Sequence, residues 1–385
     1  MDQLPINSPD IRTFERDNLL RALDGLVAGD RSVVERLEEV AAAAMNRPHA
    51  VSATSAGIGI EAAVRALELG PGDEVICPAY APIRLVNGIL RSGATPRFVD
   101  VQPRSGGVDT DRLESVVSDQ TRAIAVAPTW FDPSILEATA SFSRKYELPL
   151  IEDAVDSLGS TFGRDGAGRF GVISVIGFGI ASPAFAAGGG LVLTNQGSIA
   201  DRCRILLREG KSTSHEFGDF GQNGWHVHPG GIDGQLDPLR AAVAIGVIER
   251  LEDAVTQRQA VADAYVARLG GESELSIPAP DAAARPSWPA FPVRLDERYV
   301  SEDRDAILAG LRRHDIQADR GWGFGPRLTG QAMAGYPEDE WPIAARLAAR
   351  TIHLPCHPAM GQRDVDLVCQ TLLLMMQQNT FSRSD

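Results

Sequence analysis

The chain has 385 residues, 44% of them hydrophobic and 23% charged, which is long and apolar enough for a large core and two domains. Its net charge of −14 and pI of about 5.0 argue against a nucleic-acid binder, which carries a basic patch or stripe. Cys77, Cys203, Cys356 and Cys369 form no CxxC pair, so neither a zinc site nor a disulfide framework is indicated, and a reducing, cytoplasmic setting is expected. No apolar run reaches the length of a membrane span, and MDQLPINSPDIRTFERD lacks the apolar stretch of a signal peptide, so no membrane partner is expected.

Residues 11–45 carry apolar side chains at helical spacing in RTFERDNLLRALDGL and SVVERLEEVAAAAM, and read as helices. Strands and helices then alternate. AVSATSAG leads into the helical IGIEAAVRALELG; DEVICPAY is followed by VNGILRSGA, PRFVDVQP by DTDRLESVV, and TRAIAVAPTW by ILEATASFSRKYE. LPLIEDA, VISVIGFG and GGLVLTN are further strands, and the whole predicts a mostly parallel sheet covered by helices. From residue 236 one long helical pattern, LDPLRAAVAIGVIERLEDAVTQRQAVADAYVARL, leads toward a smaller α+β unit. That unit holds the strand SWPAFPVRL, the helix SEDRDAILAGLRRHD, the strand IQADRGW, a helical PIAARLAARTIHLP and a final helix, DVDLVCQTLLLMMQQ. The expected division is 1–245 for the large α/β domain and 246–385 for the small one.

GPGDEVICPAY, ATPRFVDVQP, LPLIEDAVDSLGS, GGG–LVLTN, GGIDGQLDPLRAAV and IHLPCHP…DVDLV occur in this order. Together they resemble the DegT/DnrJ/StrS family of sugar aminotransferases, which use pyridoxal phosphate (PLP). The resemblance runs from about residue 5 to 375. It implies the aspartate-aminotransferase-like fold, a homodimer whose active sites draw on both subunits, and a small-molecule substrate from sugar, cyclitol or antibiotic assembly.

PLP chemistry needs a lysine amine for the Schiff base, a carboxylate on the pyridine nitrogen and donors for the phosphate. The resemblance places Asp153 at the pyridinium-pairing aspartate, and Asp156 where relatives carry Gln. A second carboxylate there repels the cofactor's phenolate. The phosphate loop falls on Ser55, Ala56 and Gly57, without the usual threonine, and Pro82 stands at the stacking aromatic after Tyr80. Counting back without gaps from GGLVLTN puts Ile176 at the phosphate-binding serine and Ala181 at the lysine. Lysine occurs only at Lys145 and Lys211, against 35 arginines, so none lies between Tyr146 and Gly210. Asp233 falls where relatives carry the partner-facing Asn, a repulsive neighbour for phosphate. Each lost charge-assisted hydrogen bond costs about 1.5–3 kcal/mol, and several together weaken cofactor affinity by roughly four decades or more. The expectation is a kept fold with a dismantled or rebuilt PLP site, its small side chains between Gly177 and Gly190 leaving room for a substrate.

Other residues suit acid/base or binding roles. His226 and His228 flank Val227 and share a face on a strand. They read as a general acid/base pair, as metal ligands with Asp153 or Asp156, or as a polar interface loop. Trp130 reads as a replacement platform for a substrate or as a core aromatic. Ser55, Gly57, Tyr80, Arg84, Ser182, Lys211 and Asp233 are the remaining candidate substrate contacts, while His353 and His357 read as structural. Three functions fit these features. The first is a cofactor-free acid/base enzyme working through Asp153, Asp156 and a histidine. The second is a PLP- or PMP-dependent aminotransferase or dehydratase with the cofactor held non-covalently or by Lys211; relatives that drop the lysine for a 3-dehydration show that the family can lose it. The third is a non-catalytic dimer partner of an active paralogue.

Overall fold

The structure, a computed structural model, describes residues 3–28, 32–128, 133–180, 182–212, 226–328 and 340–381. Trp130 and Ala181 fall outside them, and of His226 only the backbone is described.

Seven strands form the main sheet: β1 His49–Ala53, β2 Glu74–Pro78, β3 Thr95–Val99, β4 Thr121–Val126, β5 Leu150–Asp153, β6 Ile173–Gly177 and β7 Gly190–Thr194. Their order across the sheet is β1-β7-β6-β5-β4-β2-β3. β2, β3, β4, β5 and β6 pair in parallel, and β7 runs antiparallel to both of its neighbours. These runs are apolar on both sides, as a sheet covered on both faces requires. The helices are α1 Thr13–Val27, α2 Ser32–Ala44, α3 Ala56–Ala66, α4 Ile83–Ser92, α5 Pro133–Lys145, α6 Gly197–Leu207 and α7 Pro238–Glu249. One core layer joins α3, α4 and α6 to one face of the sheet, and a second joins α2, α5 and α7 to the other.

The long helical pattern after residue 236 is two helices, α7 and α8 Leu251–Leu269. The break is at Arg250, whose backbone leaves the helical region at φ −107°, ψ 14° while its guanidinium holds Asp10 at 2.7 Å and Glu15 at 2.6 Å. Beyond α8 lie β8 Leu275–Ser276, β9 Phe291–Leu295, α9 Ser301–Arg313, β10 Asp319–Arg320, α10 Pro342–Arg350, β11 Thr351–Leu354 and α11 Gln362–Phe381. The second sheet has the order β8-β9-β11-β10, and α8, α9 and α11 pack on it around a third core. The helical reading of TIHL is corrected here. Its β-branched Thr351 and Ile352 lie in an inner strand paired on both sides, which tertiary pairing favours over continuing α10.

Candidate functional site

All four residues of β5 are buried, and they alternate between the two faces of the sheet. Ile151 packs in the α3/α4 layer and Leu150 in the opposite one, so Asp153 faces α4 at the carboxyl end of its strand. That is where ligands bind in open parallel sheets. α4 begins immediately after Pro82, whose φ of −64° suits a helix start. Arg84, in the first turn, extends its side chain over the strand end. Its Nε lies 2.8 Å from Asp153 Oδ2 and 3.1 Å from Oδ1, and its Nη2 lies 2.9 Å from Asp156 Oδ1. The contacts to Asp153 Oδ2 and Asp156 Oδ1 are close ion pairs whose angles do not make directed hydrogen bonds. One guanidinium thus bridges two carboxylates, and Asp153 Oδ1 also accepts from Val155 N at 3.2 Å.

The electrostatics follow from burial and pairing. Burial pushes the Asp153 carboxyl up to about 6, with Arg84 opposing the rise and Asp156 adding to it. Burial works against the charge on Arg84, but Asp153 and Asp156 outweigh it and hold its pKa above the ordinary value. Arg84 therefore stays a cation through the whole physiological range.

The clamp forms one wall of a cavity of about 940 Å³ between the main sheet and the second one. Trp322 closes it from the C-terminal side: its Nε1 donates to Asp156 Oδ2 at 2.7 Å, and its backbone N–H donates to Tyr80 Oη at 3.1 Å. Gly321 permits this approach, because a Cβ there would stand 2.5 Å from Tyr80 Oη. His353, on β11, also lines the cavity. Burial pulls its imidazole down to about 4, against the pull of Asp156 and Asp319, so it is neutral at pH 7. Arg320, Arg327, Arg346 and Arg350 line the same cavity, giving it a positive character on a chain with net charge −14. Trp322 and His353 are site residues that the sequence reading missed. His353 comes to the site on a strand of the second sheet, and Trp322 on the bend that follows Asp319–Arg320.

The structure distributes the other expected residues unevenly. Pro82, Arg84 and Asp156 line the cavity; Asp153 sits behind Arg84 and is 1% exposed. Tyr80 is fully buried; it touches the cavity wall from behind, through Trp322 and its strand pairing with Phe324. Ser55 is spent on its own helix, accepting from Ile58 N at 3.2 Å, and Gly57 faces the Arg84 stem, where an added Cβ would stand 3.8 Å from Arg84 Cβ. Ile176 does not face the phosphate side. It packs with Leu191 and Leu193 on the opposite layer, while Gly177 faces the start of α3. A one-residue shift reverses the side of the sheet. The same shift moves the counted lysine position from Ala181 to Ser182, and neither is an amine. Ser182 is buried, its Oγ accepting from Ala184 N at 3.0 Å, and does not line the cavity.

The bland stretch leaves less room than expected. Phe178, Ala184 and Ala186 are fully buried core residues, and of residues 177–190 only Ile180 lines the cavity, among the described residues. Asn7 pins this turn, donating to Ile180 O at 2.8 Å and Ser182 O at 3.1 Å, and accepting from Arg258 Nη2 at 2.8 Å. Phe185 lies in a separate small recess beside Arg250 and Arg258. Lys211 pairs with Glu209, and the short strand Lys211–Ser212 pairs with His226–Val227. Asp233 is exposed, and its backbone forms an isolated antiparallel β-bridge with that of Arg208. Lys211, His228 and Asp233 do not line the cavity. His357 is buried and also lies off it. Among the described residues no group of three His, Cys, Asp or Glu could hold a metal, and no helix is long and apolar enough to cross a membrane.

Comparison with known proteins matches this architecture end to end. The chain is 26% identical over 376 residues to the spore coat polysaccharide biosynthesis protein SpsC of Bacillus subtilis, covering 96% of each chain. It is 25% identical over 378 residues to the GDP-perosamine synthase of Caulobacter vibrioides, covering 97% of this chain and 98% of that one. The crystal structure of the aminotransferase TlmJ from Streptoalloteichus hindustanus superposes with a TM-score of 0.85 at 23% identity, over 98% of this chain and 100% of that one, which shows a shared fold. The model of the DegT/DnrJ/EryC1/StrS aminotransferase family matches residues 9–373, and this chain belongs to that family.

Proposed function

We propose that this chain is an enzyme of sugar or sugar-like small-molecule biosynthesis that binds its substrate in the cavity before Arg84 and Asp156. The observation that carries the proposal is the cavity itself: about 940 Å³, with a carboxylate–guanidinium clamp on one wall and several arginines on the others. A volume of that order suits a small-molecule ligand. The arginines favour an anionic one, and the carboxylate of Asp156 suits hydroxyl groups.

The relatives favour transamination, or a related PLP- or PMP-dependent step on a sugar, over cofactor-free chemistry: one is named a GDP-perosamine synthase and another an aminotransferase. With no lysine between Tyr146 and Gly210, that reading requires a cofactor held non-covalently or by Lys211, away from the usual lysine position. One observation favours the cofactor-free reading instead. The residues do not fit PLP as the family pattern holds it, because the carboxylate meant for the ring nitrogen is already paired with Arg84. In this second reading Asp156, set by Arg84 and Trp322, meets the substrate as the acid/base group, and Asp153 fixes Arg84 from behind. A role as dimer partner of an active paralogue is the third possibility, and a cavity that binds sugar ligands counts against it.

The test is a binding and turnover screen with nucleotide-linked keto- and amino-sugars, with and without PLP and an amino donor. Turnover that depends on added PLP supports the aminotransferase reading; turnover without it supports the acid/base one. Absence of both binding and turnover across the panel sinks the enzyme proposal.

A further inference from the structure

We infer that Arg84 is the chain's own replacement for the ring cation of a pyridine cofactor, and that it bars such a ring from Asp153. This rests on the cofactor-free reading and adds the residue responsible.

The geometry is specific. A PLP ring in this fold needs two anchors at once, a helix N-terminus for its phosphate and a carboxylate for its ring nitrogen. Here the start of α3 and the end of β5 flank one side chain. The Arg84 stem runs past Gly57 at the first, and its guanidinium sits 2.8 Å from Asp153 Oδ2 at the second. A pyridinium N–H would have to approach the same carboxylate, bringing two cations within a few ångströms in a buried site. The clamp is also anchored twice. Asp156 holds the guanidinium at 2.9 Å and is itself held by Trp322 Nε1 at 2.7 Å, so Arg84 cannot swing aside without leaving the buried Asp153 carboxylate without its cation.

The phosphate end is independently short of hydroxyl donors. Ser55 Oγ is already engaged by Ile58 N at 3.2 Å, so it caps its own helix. Across from it, a Cβ on Gly177 would lie 2.9 Å from Ala56 Cβ, so no hydroxyl-bearing side chain fits there without movement of the helix start. The missing lysine removes the covalent link, and Arg84 removes the non-covalent one.

The test is calorimetric titration of the purified full chain with PMP, which has no aldehyde and so cannot label Lys145 or Lys211. Wild type and Arg84→Lys, which keeps the cation, are expected to show no binding at millimolar PMP. Arg84→Gln is expected to bind at least about tenfold more tightly, and the gain is expected to vanish in Arg84→Gln/Asp153→Asn. Thermal melts confirm folding, and Arg84→Met, which keeps the buried stem, replaces Gln if the first variant does not fold. Tight PMP binding by wild type overturns both this inference and the cofactor-free reading. A folded Arg84→Gln or Arg84→Met that gains nothing, beside a wild type that binds nothing, overturns the role of Arg84 alone.

Discussion

Glu152 and Asp153 are neighbours on one strand, both buried carboxylates, and their surroundings differ completely. Glu152 faces the α2/α5/α7 side and accepts from Gly168 N at 2.7 Å, Phe170 N at 3.0 Å and Ser174 Oγ at 3.3 Å, with Gly171 N at 3.4 Å. Arg47 packs into the same cluster, donating to Gly168 O and Gly171 O. Burial still pushes the Glu152 carboxyl above the usual range. Asp153 faces α4, and its main partner is a long, flexible side chain, a guanidinium shared with a second carboxylate. A carboxylate saturated by backbone N–H groups fastens a loop. One held by a shared cation just behind a cavity wall fastens no loop. Pleating puts the two on opposite faces, so adjacent residues serve the scaffold and the site separately.

The largest expected effect tests the first half of this contrast. Glu152→Ala should cost about 3–5 kcal/mol in urea denaturation, because it leaves several buried donors, at about 1–3 kcal/mol each, without their acceptor; a cost below about 1 kcal/mol would remove the distinction. Asp153 should show itself through pH. Its folded pKa near 6 lies above the unfolded value of about 3.9. The folded state therefore holds the proton more tightly, and the stability it contributes is full below about pH 4 and lost as pH rises through about 6. Unfolding free energies of wild type and Asp153→Asn at pH 4.5 and pH 8 should differ in their gap by about 2 kcal/mol, with wild type relatively better at the lower pH. A gap that stays flat would mean the carboxyl is not raised.

Asn7→Ala should cost about 1–2 kcal/mol and speed hydrogen exchange in residues 178–189, since it frees two carbonyls and leaves Arg258, whose pKa burial lowers to about 10, short of a partner. Unchanged exchange there would show that the turn holds itself. The smallest effect is expected from Lys211→Ala and His228→Ala, within about 0.5 kcal/mol in stability and with no change in ligand affinity at the cavity. A large loss of affinity in either would bring the 209–235 region back into the site.

Much of the fold was legible because hydrophobic periodicity reports burial directly. The alternation of strands and helices, the strand ending in Asp153 and the absence of lysine through the Gly177–Gly190 stretch were all in the residue order. The helix boundary at Arg250 was not, because its cause is an ion pair with Asp10 and Glu15 some 235–240 residues earlier. TIHL was misread for a similar reason: its strand exists only because β9 and β10 lie on either side of it.

The site was half legible. Arg84 and Asp156 could be named as polar residues near a strand end, yet the pairing of Arg84 with Asp153 spans 69 residues, and the hydrogen bond from Trp322 to Asp156 spans 166. The sequence by itself determined the layered fold, the carboxylate at the strand end and the want of an amine, since each is a matter of local pattern or composition. The tertiary structure alone decided that Gly177 and not Ile176 faces α3, that the small-residue stretch is packed away as core, and that the place beside Asp153 is held by Arg84. Those outcomes turn on which face a pleated strand presents and on which distant side chain reaches it first, and neither is encoded in any short run of residues.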